Sequence, residues 1–160
     1  MPRYFVSLSP EEGDIVVRSR DFPELLTFGR TREEALAMAE DALVVVVLGR
    51  MDRGEDVPAP TRGRRSDIAV LLPAQPAAKH AVWQAFRDAG IPKAELARRL
   101  DVGDNEVQRI LDPRYGTKLD KLEAAAKVLG VRLVVDRSCA GTGCCGSIAA
   151  NQGRTRAATS

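Results

Sequence analysis

The chain has 160 residues, 44% of them hydrophobic and 4% aromatic, and no apolar run approaches the ~20 residues that cross a bilayer. Because the N-terminus also lacks a charged-then-apolar leader, we expect a cytoplasmic protein of one large or two small domains. The net charge of +2 divides into −5 over residues 1–60, +5 over residues 61–135 and +2 over residues 136–160, which indicates a basic partner for the first part and an acidic one, such as nucleic acid, for the second.

The first 30 residues alternate between apolar and polar in the manner of β-strands. Residues 3–9 and 15–19 flank the turn PEEGD at 10–14, which predicts a hairpin. Asp21-Phe-Pro-Glu then makes an extended corner, because a residue that precedes proline is pushed away from the helical region. Residues 25–29 follow as a third short strand.

At Thr31 the hydrophobic period changes to that of a helix. Thr31 and Glu34 form a capping box, in which each side chain can accept a hydrogen bond from a free backbone N–H at the helix start. The apolar stripe of this helix comprises Ala35, Leu36, Ala39, Ala42, Leu43, Val46 and Val47. Residues 54–66 have the proline, glycine and charge of a linker, and the apolar run at 67–73 predicts a last strand. The order β-β-β-α-β is an α+β arrangement, with one helix on one face of a small sheet.

The second half begins with a predicted helix at 78–89 and continues with a predicted helix–turn–helix from Gly90 to Leu111. Two short apolar stripes flank the break at Asp101–Gly103, and Val102 would fill the corner. In such a unit the outer face of the second helix can enter a DNA major groove. That face carries Asp104, Asn105, Gln108 and Arg109. An ordinary pair of packed helices with a polar face is the alternative.

Three residues after this helix, Arg114, Tyr115 and Lys118, lie where the chain would pass a DNA phosphate, with a solvated turn as the alternative. Residues 119–129 predict a further helix that ends at Gly130. The predicted strand at 131–135 has no partner within a helical domain, and its simplest partner is its own copy in a second subunit. We therefore predict a homodimer, with a higher oligomer left open.

The last segment, residues 137–160, is rich in Gly, Ala, Ser and Thr and is predicted to be disordered. It holds all three cysteines, Cys139, Cys144 and Cys145, whose spacing is not that of a zinc site, and the single histidine, His80, is distant in sequence. We expect reduced thiols, no metal and no cofactor.

Two stretches together resemble a known family. Tyr4, Asp21-Phe-Pro-Glu-Leu and Thr27-Phe-Gly-Arg-Thr-Arg-Glu-Glu-Ala-Leu in the first half, with Thr117-Lys-Leu-Asp-Lys-Leu-Glu in the second, closely resemble the HicB antitoxin family. The resemblance spans about residues 3–135. It implies a partial RNase H-like domain at 1–75, followed at 76–136 by a helix–turn–helix domain for DNA binding and dimerisation.

The same resemblance implies a type II toxin–antitoxin role. The first domain would bind and mask a small HicA-like mRNA-cleaving toxin, and the second would repress the shared operon at its operator DNA. For toxin contact the resemblance and the corner point to Tyr4, Asp21, Phe22 and Glu24, although Phe22 is equally suited to the core. Asp101 stands where these domains often have glycine, and we expect a left-handed backbone there, which Asp tolerates better than most residues.

Catalysis is not expected. RNase H chemistry needs carboxylates that converge on two divalent ions, and of the acids available here, Glu40 and Asp41 look like the solvated face of the helix. No glycine-rich phosphate loop or nucleophile–histidine set is visible. The hypothesis that competes with an antitoxin is a ligand-responsive dimeric transcription regulator, which a small acidic first domain disfavours because it leaves little room for a ligand pocket.

Overall fold

Four strands and five helices follow one another along residues 2–134, the part of the chain that the computed structural model describes. The strands are β1 (Arg3–Glu11), β2 (Asp14–Ser19), β3 (Leu26–Gly29) and β4 (Ile68–Leu71). The helices are α1 (Arg32–Asp52), α2 (Ala74–Ala89), α3 (Lys93–Leu100), α4 (Asp104–Leu111) and α5 (Leu119–Val128). The α+β class and the order of the predicted elements up to α5 are confirmed.

The strands form one antiparallel sheet in the order β3-β2-β1-β4. The β1–β2 hairpin is tighter than predicted, since pairing continues to Glu11 and Asp14. Glu12 and Gly13 make the connection with φ of 49° and 94°. Two successive residues with positive φ match the twist of the paired strands, and this explains the short turn.

Helix α1 covers one face of the sheet. Its buried positions recur every four residues and face Tyr4, Val6 and Val17 of the sheet. They are Ala35, Ala39, Leu43, Val47 and Met51. At the helix start, Thr31 Oγ1 accepts from Glu34 N at 3.1 Å, as the capping box predicts. The Glu34 carboxylate accepts from the N–H of Arg30 at 2.9 Å rather than from that of Thr31.

The segment at residues 54–66, which we call the crossing segment, is not a loose linker. Val57 is buried in the core of the sheet domain, and the backbone at Gly63 lies so close to the Phe5 ring that a Cβ there would meet it at 2.4 Å. The segment therefore runs against the sheet before β4 enters beside β1.

A second core forms among α2 to α5. It is built from Ala78, Val82, Leu96, Ala97, Val107, Ile110, Leu111, Leu122, Ala125 and Ala126. Helix α2 begins at Ala74, four residues before its predicted start, and also contributes Ala77 and Trp83 to the core under the sheet. One helix thus belongs to both hydrophobic cores and joins the two halves of the chain.

Two local expectations need correction. Val102 does not fill the corner between α3 and α4, because 37% of it is exposed. Residues 131–134 form no strand in the described part of the chain, so the strand predicted for 131–135 is not formed within one chain, and its pairing with a second subunit stays a prediction. A strand needs a hydrogen-bonded neighbour, and the sheet gives this segment none. Residue 135 and the predicted disordered tail at 137–160, with its three cysteines, lie outside the described residues.

No helix within residues 2–134 combines the length and the apolar character that a membrane span requires.

Candidate functional site

The outer face of α4 is a row of exposed polar side chains. Asp104, Asn105, Gln108 and Arg109 are all exposed, as the sequence predicted. On the opposite face, Val107, Ile110 and Leu111 are buried in the second core. This division makes α4 strongly amphipathic, so its inner face fixes the helix while the outer face stays available to a partner.

The turn before α4 aims the helix. Asp101 has a φ of 53° and ψ of 46°, the left-handed backbone expected for this position. Its neighbour Val102 donates its N–H to the carbonyl oxygen of Ala97 at 3.1 Å, which closes the end of α3 in a Schellman-type turn. Gly103 then starts α4 from an extended conformation.

The two acids near the start of α4 have different surroundings. Asp104 is exposed in the first turn, where negative charge favours the helix. Glu106 forms an ion pair with Lys121 of α5, and this hydrogen bond lowers the pKa of the Glu106 carboxyl. Glu106 therefore links α4 to α5.

The turn after α4 brings two of the predicted DNA contacts together. The Arg109 guanidinium lies 5.3 Å from the centroid of the Tyr115 ring, a cation–π contact. Arg114 forms an ion pair with Asp52 at the end of α1, which ties this turn to the sheet domain. Lys118 is exposed and stands just before α5.

Lys79 is a residue that sequence analysis missed. It is 3% exposed, and it donates hydrogen bonds to the carbonyl oxygens of Arg109 and Tyr115 and to the hydroxyl of Thr117. Burial lowers the pKa of its ammonium, and the nearby Asp112 carboxylate opposes that shift. A lysine close to the apolar stripe of α2 was the available signal.

The residues predicted for toxin contact lie together at one corner of the sheet domain, and most of their side chains are buried. Tyr4 and Phe22 are 1% and 0% exposed, and their ring centroids lie 4.9 Å apart. The Tyr4 hydroxyl donates to the carbonyl oxygen of Pro58 in the crossing segment at 3.0 Å. Burial, with a smaller effect of the Asp21 carboxylate, raises the pKa of Tyr4 to about 12.

The polar members of the corner hold neighbouring chain. The Asp21 carboxylate accepts from the N–H of Thr61 in the crossing segment at 3.2 Å. Glu24 is exposed, and its two carboxylate oxygens accept hydrogen bonds from the Arg50 guanidinium of α1 at 2.6 and 3.0 Å. The hydrogen bond from Arg50 lowers the pKa of Glu24. Of the four predicted residues, Glu24 is thus the one whose side chain reaches the surface.

The acids that RNase H chemistry would need do not converge. Asp21 and Glu24 are held by Thr61 and Arg50, and Glu40 and Asp41 are exposed on α1. Within residues 2–134, no group of three or more His, Cys, Asp or Glu side chains is placed to hold a metal ion.

Comparison with known proteins decides the family. A family described as "HicB_like antitoxin of bacterial toxin-antitoxin system" matches residues 3–81. Antitoxin HicB 1 of Photorhabdus laumondii is 40% identical over 134 residues, which cover 83% of this chain and 85% of the relative. Antitoxin HicB of Escherichia coli K12 is 36% identical over 132 residues, with 82% and 96% covered. The chain belongs to the HicB antitoxin family.

The family match and the relatives' matches differ in extent. The HicB match at 3–81 contains the sheet, α1, the crossing segment and the first half of α2. Antitoxin HicB of Pseudomonas fluorescens is 35% identical over 136 residues, with 84% of this chain and 93% of the relative covered. That is far more than residues 3–81 can hold, so the similarity to HicB proteins continues into the helical half.

Proposed function

We propose that this HicB antitoxin binds and masks a small HicA-like mRNA-cleaving toxin through its sheet domain, and represses its own operon through its helical half. In this proposal the protein is not an enzyme, since its role is to cover another protein's active site and to occupy an operator. The names of its relatives support the antitoxin role and favour it over a ligand-responsive regulator.

One observation carries the DNA-binding part, namely the exposed polar row on α4. The α3–turn–α4 unit acts in this proposal as a helix–turn–helix, with α4 in the major groove. Asn105, Gln108 and Arg109 contact base edges there, and Asp104 accepts from a cytosine amino group. Arg114, Tyr115 and Lys118 hold the neighbouring phosphate.

Toxin binding is proposed at the corner formed by Tyr4, Asp21, Phe22 and Glu24. Glu24 provides the exposed charge. The other three side chains are buried beneath the corner, where Tyr4 and Asp21 hold the crossing segment by hydrogen bonds. The net charge of −5 over residues 1–60 suits a partner that must itself be basic to grip RNA.

A homodimer completes the proposal. Residues 131–134 are free of any strand in the described chain and include Val131 and Val134, which are 38% and 68% exposed. Pairing of 131–135 with the same segment of a second subunit supplies the missing partner and presents two copies of α4 to a two-fold symmetric operator.

The experiment is a two-readout test on the full chain, co-expressed with the adjacent small open reading frame. Arg109→Ala is expected to abolish operator binding and to leave growth rescue intact. Glu24→Lys is expected to do the reverse, with Glu33→Lys, at an exposed site on α1, as its matched control. If either variant loses both activities while remaining folded, the division of labour between the halves is wrong.

A further inference from the structure

The C-terminal end of α4 lies against a buried ammonium. The three N–H groups of Lys79 meet three acceptors: the Arg109 carbonyl oxygen at 3.3 Å, the Thr117 hydroxyl at 3.0 Å and the Tyr115 carbonyl oxygen. An ammonium has three donors and no acceptor, so this set satisfies it completely. Such full satisfaction is what allows a charged side chain to be buried at all.

Thr117 completes the arrangement. Its hydroxyl donates to the Arg109 carbonyl oxygen at 3.0 Å while it accepts from Lys79, and its own carbonyl oxygen accepts from Gln75 at 3.1 Å. The Arg109 carbonyl is among the last four of α4, which have no partner inside the helix. Positive charge is also favourable at this end of a helix. We call these contacts the Lys79–Thr117 clamp.

The clamp fixes the backbone of two residues whose side chains meet on the surface. It holds the carbonyl groups of both Arg109 and Tyr115, and their side chains form the cation–π contact at 5.3 Å. The N–H donors of a guanidinium lie in its own plane, so a guanidinium stacked on a ring can still donate to a partner at its edge. Among the described residues the nearest carboxylate is that of Glu106, at 4.0 Å from the Arg109 guanidinium, which is too far for a hydrogen bond and leaves those donors open to another acceptor.

We propose that the Lys79–Thr117 clamp positions Arg109 on the Tyr115 ring so that its paired N–H donors meet O6 and N7 of a guanine in the operator. Lys79 and Thr117 are positioning residues, Tyr115 is the platform and Arg109 makes the contact. The inference rests on the proposed DNA-binding function. A two-donor contact from arginine is the commonest specific contact to guanine, and a donor held in place before binding loses less side-chain entropy on binding.

The first arm of the test uses the full chain without DNA. NMR signals of the Arg109 side chain are shifted by the current of the Tyr115 ring, and Tyr115→Leu gives the value without the ring. Lys79→Met and Thr117→Val are expected to move the Arg109 signals toward that value, whereas Lys127→Met, at an exposed lysine on α5, leaves them unchanged. Wild-type signals in both clamp variants would overturn the positioning role. If Lys79→Met does not fold, Thr117→Val decides alone.

The second arm measures base discrimination. The probe is a duplex that the wild-type protein selects from a random library, together with copies in which single guanines are replaced by 7-deazaguanine, which lacks the N7 acceptor. We expect wild type to lose about tenfold in affinity at one guanine position. Lys79→Met and Thr117→Val lose this discrimination, and Arg109→Ala no longer prefers the selected duplex over mixed-sequence DNA, which all three variants still bind. Full discrimination in both clamp variants refutes the inference. A wild-type protein that selects no duplex refutes the DNA-binding proposal, and the guanine contact with it, whatever the NMR arm gives.

Discussion

Replacing glycine by alanine is expected to have opposite effects on stability at Gly29 and at Gly49. A Cβ added at Gly29 would lie 2.4 Å from the backbone nitrogen of Ala35 and 2.7 Å from its Cα. Because these are backbone atoms at the start of α1, no side-chain rotation relieves the overlap. The helix must retreat from β3 by about 1 Å, and overpacking of this kind costs roughly 1–3 kcal/mol. We expect Gly29→Ala to lie at the upper end, at about 3 kcal/mol.

Gly49→Ala is the matched control, since it lies in the last turns of α1. A Cβ there meets only the flexible end of the Arg53 side chain, at 3.3 Å. Replacing a helical glycine by alanine removes backbone entropy from the unfolded chain and is favourable by about 0.5–1 kcal/mol.

Urea unfolding of the two full-length variants, read by far-UV circular dichroism, measures both changes. Gly29→Ala should lower the midpoint and Gly49→Ala should raise it, each with an unchanged slope. In thermal unfolding, the Gly29→Ala loss corresponds to a Tm lower by about 10 °C. The close-approach argument fails if Gly29→Ala unfolds with the wild-type midpoint, or if both variants shift in the same direction by similar amounts.

Three further predictions concern ionisation and backbone strain. Tyr115→Phe leaves Tyr4 as the sole tyrosine, and an absorbance titration of this variant should give Tyr4 a pKa of about 12. Between pH 10 and pH 12 Tyr4 then ionises in the unfolded chain but not in the folded one, so the free energy of unfolding falls as the pH rises through this range. Hydrogen bonds from Arg98, and next from Arg99, lower the pKa of Glu95 to about 2. A carboxyl NMR titration should show this value, and the small stability that Glu95 contributes is lost as pH falls below 4.5 toward 2; titration near 4.5 contradicts it. Asp101→Ala should cost about 1 kcal/mol in urea unfolding because its left-handed backbone disfavours a Cβ, whereas Asp101→Gly should cost nothing.

Local patterns carried the prediction of most elements. The alternation in residues 3–9 and 15–19 predicted β1 and β2, because side chains of a half-covered sheet must point alternately to the core and away from it. The capping box at Thr31 located the start of α1 to the residue. The expected left-handed backbone at Asp101 is also confirmed. Each of these signals comes from residues that are close to one another in the sequence.

The crossing segment shows where such patterns stop. Its proline, glycine and arginine content is that of a solvated linker, but Val57 and the backbone at Gly63 lie against the sheet. What holds it are contacts from residues about 40 or more positions earlier, namely Tyr4 to Pro58 and Asp21 to Thr61. The same contacts bury Tyr4 and Asp21, which the sequence alone placed at an extended corner as candidates for toxin contact. The sequence does not show that the crossing segment supplies hydrogen-bond partners for the Tyr4 hydroxyl and the Asp21 carboxylate, so it could not predict their burial.

Lys79 makes the same point for the proposed DNA-binding surface. Periodicity alone places it beside the buried Val82 and Trp83 of α2, and a lysine at such a position ordinarily extends its ammonium to solvent. Its three acceptors come from residues 30 to 38 positions later in the chain. Their carbonyl and hydroxyl groups converge only after α4 has turned back against α2. A charge is buried there because the end of one helix lacks hydrogen-bond donors and another helix provides them, which is a property of the packed pair and of neither sequence segment.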